Sequence, residues 1–86
     1  MANAPLAPIQ PARAAQELTK LSAMRKSGEL AQDEYEHKFA RMVGELRDRR
    51  IAGTRTEIMA ALEPLRLNGV ITAAEWDRFV SQLGLA

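Results

Sequence analysis

Apolar residues recur at steps of three and four in four separate stretches of this chain, the spacing that puts side chains on one face of an α-helix. Ala14, Leu18, Leu21 and Met24 form the first stripe. Pro11 suits the first turn of that helix, and Ser27-Gly28 ends it, so the pattern predicts a helix over roughly 12–27. Arg25 and Lys26 then lie near the negative end of its dipole. The second stripe is Tyr35, Phe39, Met42 with Val43, and Leu46, in a helix that begins near Gln32. Glu36, Lys38, Glu45 and Arg47 occupy its opposite face, and Arg47 to Arg50 fill its last turn before Ile51-Ala52-Gly53 breaks the pattern. The third stripe is Ile58, Ala61 or Leu62, and Leu65, opened by Thr54 and Glu57 at capping-box spacing. Pro64 removes one backbone donor and crowds the carbonyl four residues earlier, which predicts a kink or a restarted final turn before Asn68-Gly69. Thr72 and Glu75 form a second capping box, and the fourth helix turns Trp76, Phe79 or Val80, and Leu83 inward until Gly84.

Residues 1–10 do not join this pattern. Pro5 and Pro8 predict an extended, mobile arm, better explained as a plain disordered terminus than as a segment that docks through Leu6 and Ile9. Abundant Ala with scarce β-branched residues favours helix throughout. The expected architecture is all-α: an arm over 1–10, one helical hairpin over 11–51, and a second over 54–86. A hairpin of about 35 residues is too small to fold unaided, so each half must be completed by the other or by another chain.

The halves repeat. At an offset of 41 residues Leu21 falls on Leu62, Met24 on Leu65, Gly28 on Gly69, Leu30 on Ile71, Glu34 on Glu75, Tyr35 on Trp76, Glu36 on Asp77, Phe39 on Val80 and Met42 on Leu83. Helical periodicity does not require the glycine or the Glu-aromatic-acid triplet, so the match predicts a duplicated supersecondary unit. Gly69 permits the turn out of the third helix, while Ile71 before the Thr72 cap and Trp76 within the next turn form a hydrophobic staple. Leu30 and Tyr35 are expected to do the same one register step from ideal. The stretch "LTKLSAMRKSGELAQDEYEHKFARMV" resembles SHOCT, a short helical-hairpin module found in many prokaryotic proteins. Leu18, Leu21, Met24, Gly28, Leu30, Glu34, Tyr35, Glu36, Lys38 and Met42 carry the resemblance; Ala31 stands where threonine is usual, which weakens that cap. Gly69, Ile71, Thr72, Glu75, Trp76 and Asp77 suggest a second, divergent copy, which Pro64 and Phe79 do not fit. The resemblance implies an oligomerisation or protein-interaction element, and its pattern contains no catalytic residue.

Charge and composition narrow the function further. Twelve basic against eleven acidic residues give a net charge of +1, too small for a global field that gathers nucleic acid or membrane. With no cysteine there are no disulfides, thiolate metal sites or cysteine nucleophiles. A basic, apolar leader and an apolar run of about 18 residues are both missing, so a soluble, cytoplasmic protein is expected. The helix corners lack the alternating oxygen ligands of a calcium loop. Glu34 and His37 have the i, i+3 spacing of di-iron bundles, but the single histidine would need a symmetric dimer, and a surface histidine beside a capping glutamate accounts for both. No Ser-His-Asp set, buried carboxylate pair or glycine-rich phosphate loop can be assembled, and the aromatics lie at core spacing.

These observations predict a non-enzymatic protein-protein interaction or oligomerisation module, acting as an adaptor or regulator without cofactor, metal or small-molecule substrate. Helix faces would bind the partner, with Met24, Phe39, Met42 and Leu46 as candidate anchors because methionine-rich faces adapt to partners. Arg41, Arg47, Arg49, Arg50 and Arg55 form the one concentration of charge. Dipole complement and solvated surface explain it first, an acidic protein face second and nucleic acid third, since no aromatics interleave for stacking. A small nucleic-acid-associated or regulatory protein is therefore the alternative; a phage-encoded accessory or inhibitor protein fits only by size.

Overall fold

The computed structural model describes residues 8–85, which form four helices and no strand. They are α1 (Pro11–Lys26), α2 (Gln32–Arg49), α3 (Arg55–Leu67) and α4 (Ala73–Gln82). All four lie within two residues of the boundaries that periodicity and caps imply. Thr54 and Thr72 accept at their hydroxyls from the Glu57 and Glu75 amides, 3.2 and 3.1 Å away, and each glutamate accepts the threonine amide in return. The Thr54 amide donating to Glu57 Oε1, and after it the Thr54 side chain, hold the Glu57 carboxyl below its ordinary pKa. Ala31 has no side-chain acceptor, so α2 keeps only half a box, the Ala31 amide donating to Glu34 Oε1 at 3.2 Å.

The repeat extends to individual backbone hydrogen bonds. In the first corner the amides of Ser27, Gly28 and Leu30 donate to the carbonyls of Ala23, Arg25 and Met24. In the second, Asn68, Gly69 and Ile71 donate to Pro64, Arg66 and Leu65, each partner displaced by the same 41 residues. Both turns need a positive φ, +87° at Gly28 and +74° at Gly69, which glycine adopts without steric cost. Leu30 immediately precedes the Ala31 cap and Tyr35 is the fourth helical residue. The first staple thus has the ideal register, equivalent to Ile71 and Trp76, and all four side chains are buried. Pro64 neither ends nor restarts α3, which runs unbroken to Leu67. It stands where the first copy has Ala23, its ring is exposed, and its carbonyl receives the Asn68 amide that closes the helix.

The two hairpins are completed by each other. α1 packs on α3 and α2 on α4, so equivalent helices meet, as in an isologous dimer built within one chain. One core results, from Ala14, Leu18 and Leu21 through Tyr35, Phe39, Val43 and Leu46 to Ile58, Leu62, Leu65, Trp76 and Phe79. Phe79 is fully buried while Val80, at the repeat position of Phe39, is only half-buried, so α4 turns a different residue inward from α2. The buried Ser22 hydroxyl donates to the Val70 carbonyl at 2.7 Å, a further bond between the halves.

Of the segment expected to be a mobile arm, residues 1–7 lie outside the described residues. Ile9 is not loose: its amide donates to the Arg50 carbonyl at 2.9 Å, and its carbonyl accepts from Ala52 at 2.8 Å, in a parallel bridge with Ile51. That pairing accompanies an unexpected backbone at Arg50. The residue is not in the last turn of α2 but caps it at φ +69°, ψ 154°, a region nearly reserved for glycine.

Candidate protein-docking groove

α1 and α2 are joined by a short corner, and Ile9 and Ile51 at their far ends are paired, so the two helices lie side by side as a hairpin. A groove of about 600 Å³ follows them on the outer surface of the first half. From α1 it takes Arg13, Glu17 and Leu21, which share one face of that helix. From α2 it takes Lys38, Arg41, Met42, Glu45, Leu46 and Arg49, and Ile9 closes the end. Leu21, Met42, Leu46 and Ile9 make an apolar floor, while charged side chains from both helices make the rim. Arg13 Nε and Glu17 Oε1 pair at 3.2 Å, and Arg49 and Glu45 at 3.6 Å. Lys38 and Arg41 are exposed and have no ion pair among the described residues. A second depression of about 340 Å³ gathers Leu46, Arg47, Arg50, Ile51, Ile58, Leu83 and Leu85 where the ends of both hairpins meet.

The expected anchors separate. Met42 is half-buried on the groove floor, with Leu46 nearly covered beneath it. Phe39 is buried in the common core, because the second hairpin covers its stripe. Met24 is half-buried against the core near the first corner, away from the groove. The arginines separate too. Arg41 and Arg49 line the groove, and Arg47 and Arg50 line the second depression. Arg47 also pairs with Asp48 at 3.7 Å, and Arg55 donates from Nε to the Leu85 carbonyl at 2.6 Å, fastening the end of the chain. Arg47, Arg49 and Arg55 therefore serve separate local partners, and the five arginines divide between two depressions and the Leu85 carbonyl. His37 and Glu34 are exposed, and no group of three His, Asp or Glu among the described residues is placed to hold a metal ion. None of the four described helices is long and apolar enough to cross a membrane.

The periodicity reading missed a polar cluster at the junction of the halves. The Arg25 guanidinium lies 4.1 Å from the centroid of the Tyr35 ring and 3.8 Å from Glu75 Oε2. Burial, then a hydrogen bond to the Glu75 carboxylate, raises the Tyr35 hydroxyl from 10 to about 12. Glu75 thereby caps α4 with one oxygen and meets α1 with the other. Arg66 stands 5.8 Å from the Trp76 ring centroid, in the repeat position of Arg25 over Tyr35. The same offset of 41 residues that aligns the apolar positions also aligns these two arginines, and that was the available signal. No protein-family model matches the chain, and neither the curated proteins nor the solved structures include one significantly similar to it.

Proposed function

We propose that this chain is a non-enzymatic interaction module that binds another protein through the α1/α2 groove. The observation that carries this reading is the groove itself, an apolar floor framed by charged side chains from two rigid helices. The resemblance of the first hairpin to SHOCT, with the second as a divergent copy, supports the same class of function. Oligomerisation through bare helix stripes has less support, because the stripes of the two hairpins cover each other. Leu67 is the one large hydrophobic residue left exposed among the described residues. A nucleic-acid role through the arginines is weaker again, since Arg47, Arg49 and Arg55 already engage carboxylates or a carbonyl.

Site-specific photocrosslinking in the native cell tests the proposal. A photoreactive residue at Met42 should give discrete adducts with another protein, whereas the same residue at Asp77, on the exposed face of α4, should not. Equal labelling at both positions, or no adduct at Met42, would refute the groove as the binding surface.

A further inference from the structure

The geometry points to an acidic amphipathic helix of a partner protein as the occupant of the α1/α2 groove, an inference that rests on the interaction reading above. Shape is the first argument. The lining residues run from Arg13 to Leu21 on α1 and from Lys38 to Arg49 on α2. The groove therefore follows about three turns of α2, roughly 16 Å, a trough proportioned for a third helix and too elongated for a compact small molecule. An apolar helix stripe would lie over Leu21, Met42 and Ile9, with its flanking residues facing the rim.

Charge is the second argument. Four basic residues, Arg13, Lys38, Arg41 and Arg49, face two acidic ones, Glu17 and Glu45. Those two carboxylates are held by Arg13 and Arg49. That leaves Lys38 and Arg41 on the α2 rim for acidic groups of the partner. Nucleic acid fits less well, since no aromatic side chain lines the groove for base stacking.

The repeat supplies an internal comparison. Where the first half has Glu17 and Lys38, the second has Ile58 and Phe79, and both of these are buried. The charged rim is therefore not a requirement of the hairpin unit. The second copy uses the equivalent positions for core.

The test titrates the full chain, isotopically labelled for NMR, with three probes. One is a designed 18-residue amphipathic helix with a leucine stripe and glutamate flanks. The second keeps the stripe but carries lysine flanks, and the third is a single-stranded DNA oligonucleotide. The glutamate peptide should shift signals of residues 38–49 and the Met42 methyl, with affinity at least tenfold above that of the lysine peptide. The double variant Lys38→Glu, Arg41→Glu changes two exposed side chains, so its circular dichroism should match the native chain while the preference between the peptides reverses. Equal binding of both peptides, or displacement of the glutamate peptide by the oligonucleotide, would overturn the acidic-helix assignment. So would a concentration-dependent doubling of mass that shifts the same residues, which would make a second copy the occupant. If neither peptide binds while Met42 still crosslinks to a partner, the acidic class is wrong and the docking reading stands. If both experiments fail, the groove is not a docking site.

Discussion

Ala31 shows how far one side chain's chemistry decides a local structure. Its backbone, at φ −69° and ψ 162°, nearly matches Thr54 and Thr72 at the caps of α3 and α4, and Glu34 already supplies the carboxylate half of a box. Only an acceptor for the Glu34 amide is missing. Ala31→Ser should therefore raise stability by about 1 kcal/mol, read as a higher urea midpoint at unchanged slope. Arg50 presents the opposite case, a side chain on a backbone made for glycine. Arg50→Gly relieves that conformation at the expense of some chain entropy and should gain about 1 kcal/mol. An unchanged or lower midpoint would show that the capping conformation carries no strain. The Ala31 deficit was visible in the sequence as a departure from a motif. The strain at Arg50 was not, because Ile9, far away in the chain, takes part in the pairing that accompanies it.

Helices and corners were the most legible level. Stripes, capping boxes and glycines are short-range features, and they located all four helices and both corners because the physics that forms them acts within a few residues. Pro64 is the instructive departure. Its ring costs α3 one backbone bond, yet the helix persists because Ile58, Leu62 and Leu65 are buried on both sides of it, and packing outweighs propensity. Pro64→Ala should restore the bond to the Ala60 carbonyl and raise the unfolding free energy by about 2 kcal/mol. Slower amide exchange in the last turn of α3 would accompany that gain, and a loss of stability would count against this account. The docking groove, also an element-level feature, was half legible. The residue types of Met42 and Arg41 mark them as candidates, and helical spacing sets Lys38 beside them, but only the pairing of α1 with α2 brings Arg13, Glu17 and Leu21 to the same groove.

At the scale of the whole molecule the Arg25, Tyr35 and Glu75 cluster joins the halves, and its titration reports on that junction. Tyr35 ionises near pH 10 in an unfolded chain and near 12 in the folded one. The folded state thus retains a proton that the unfolded state releases. Stability that is intact below pH 10 should fall as the pH rises through 12, by about 2–3 kcal/mol from this group. Tyr35→Phe lacks the phenol, so its stability curve should be flatter over that interval. Absorbance of the tyrosinate is an unambiguous readout, since the chain has one tyrosine. A Tyr35 that ionises near pH 10 in the folded protein would contradict the buried junction. The sequence by itself determined the all-helical class, the four stripes, the caps and the repeated corner, because each rests on contacts between residues close along the chain. Tertiary structure alone decided that the hairpins cover one another, that Met42 stays accessible, that Ile9 is tied to Ile51, and that Glu75 meets Arg25 and Tyr35. Those outcomes depend on which faces meet across distant segments, and local periodicity marks a face as apolar without naming the surface that will cover it.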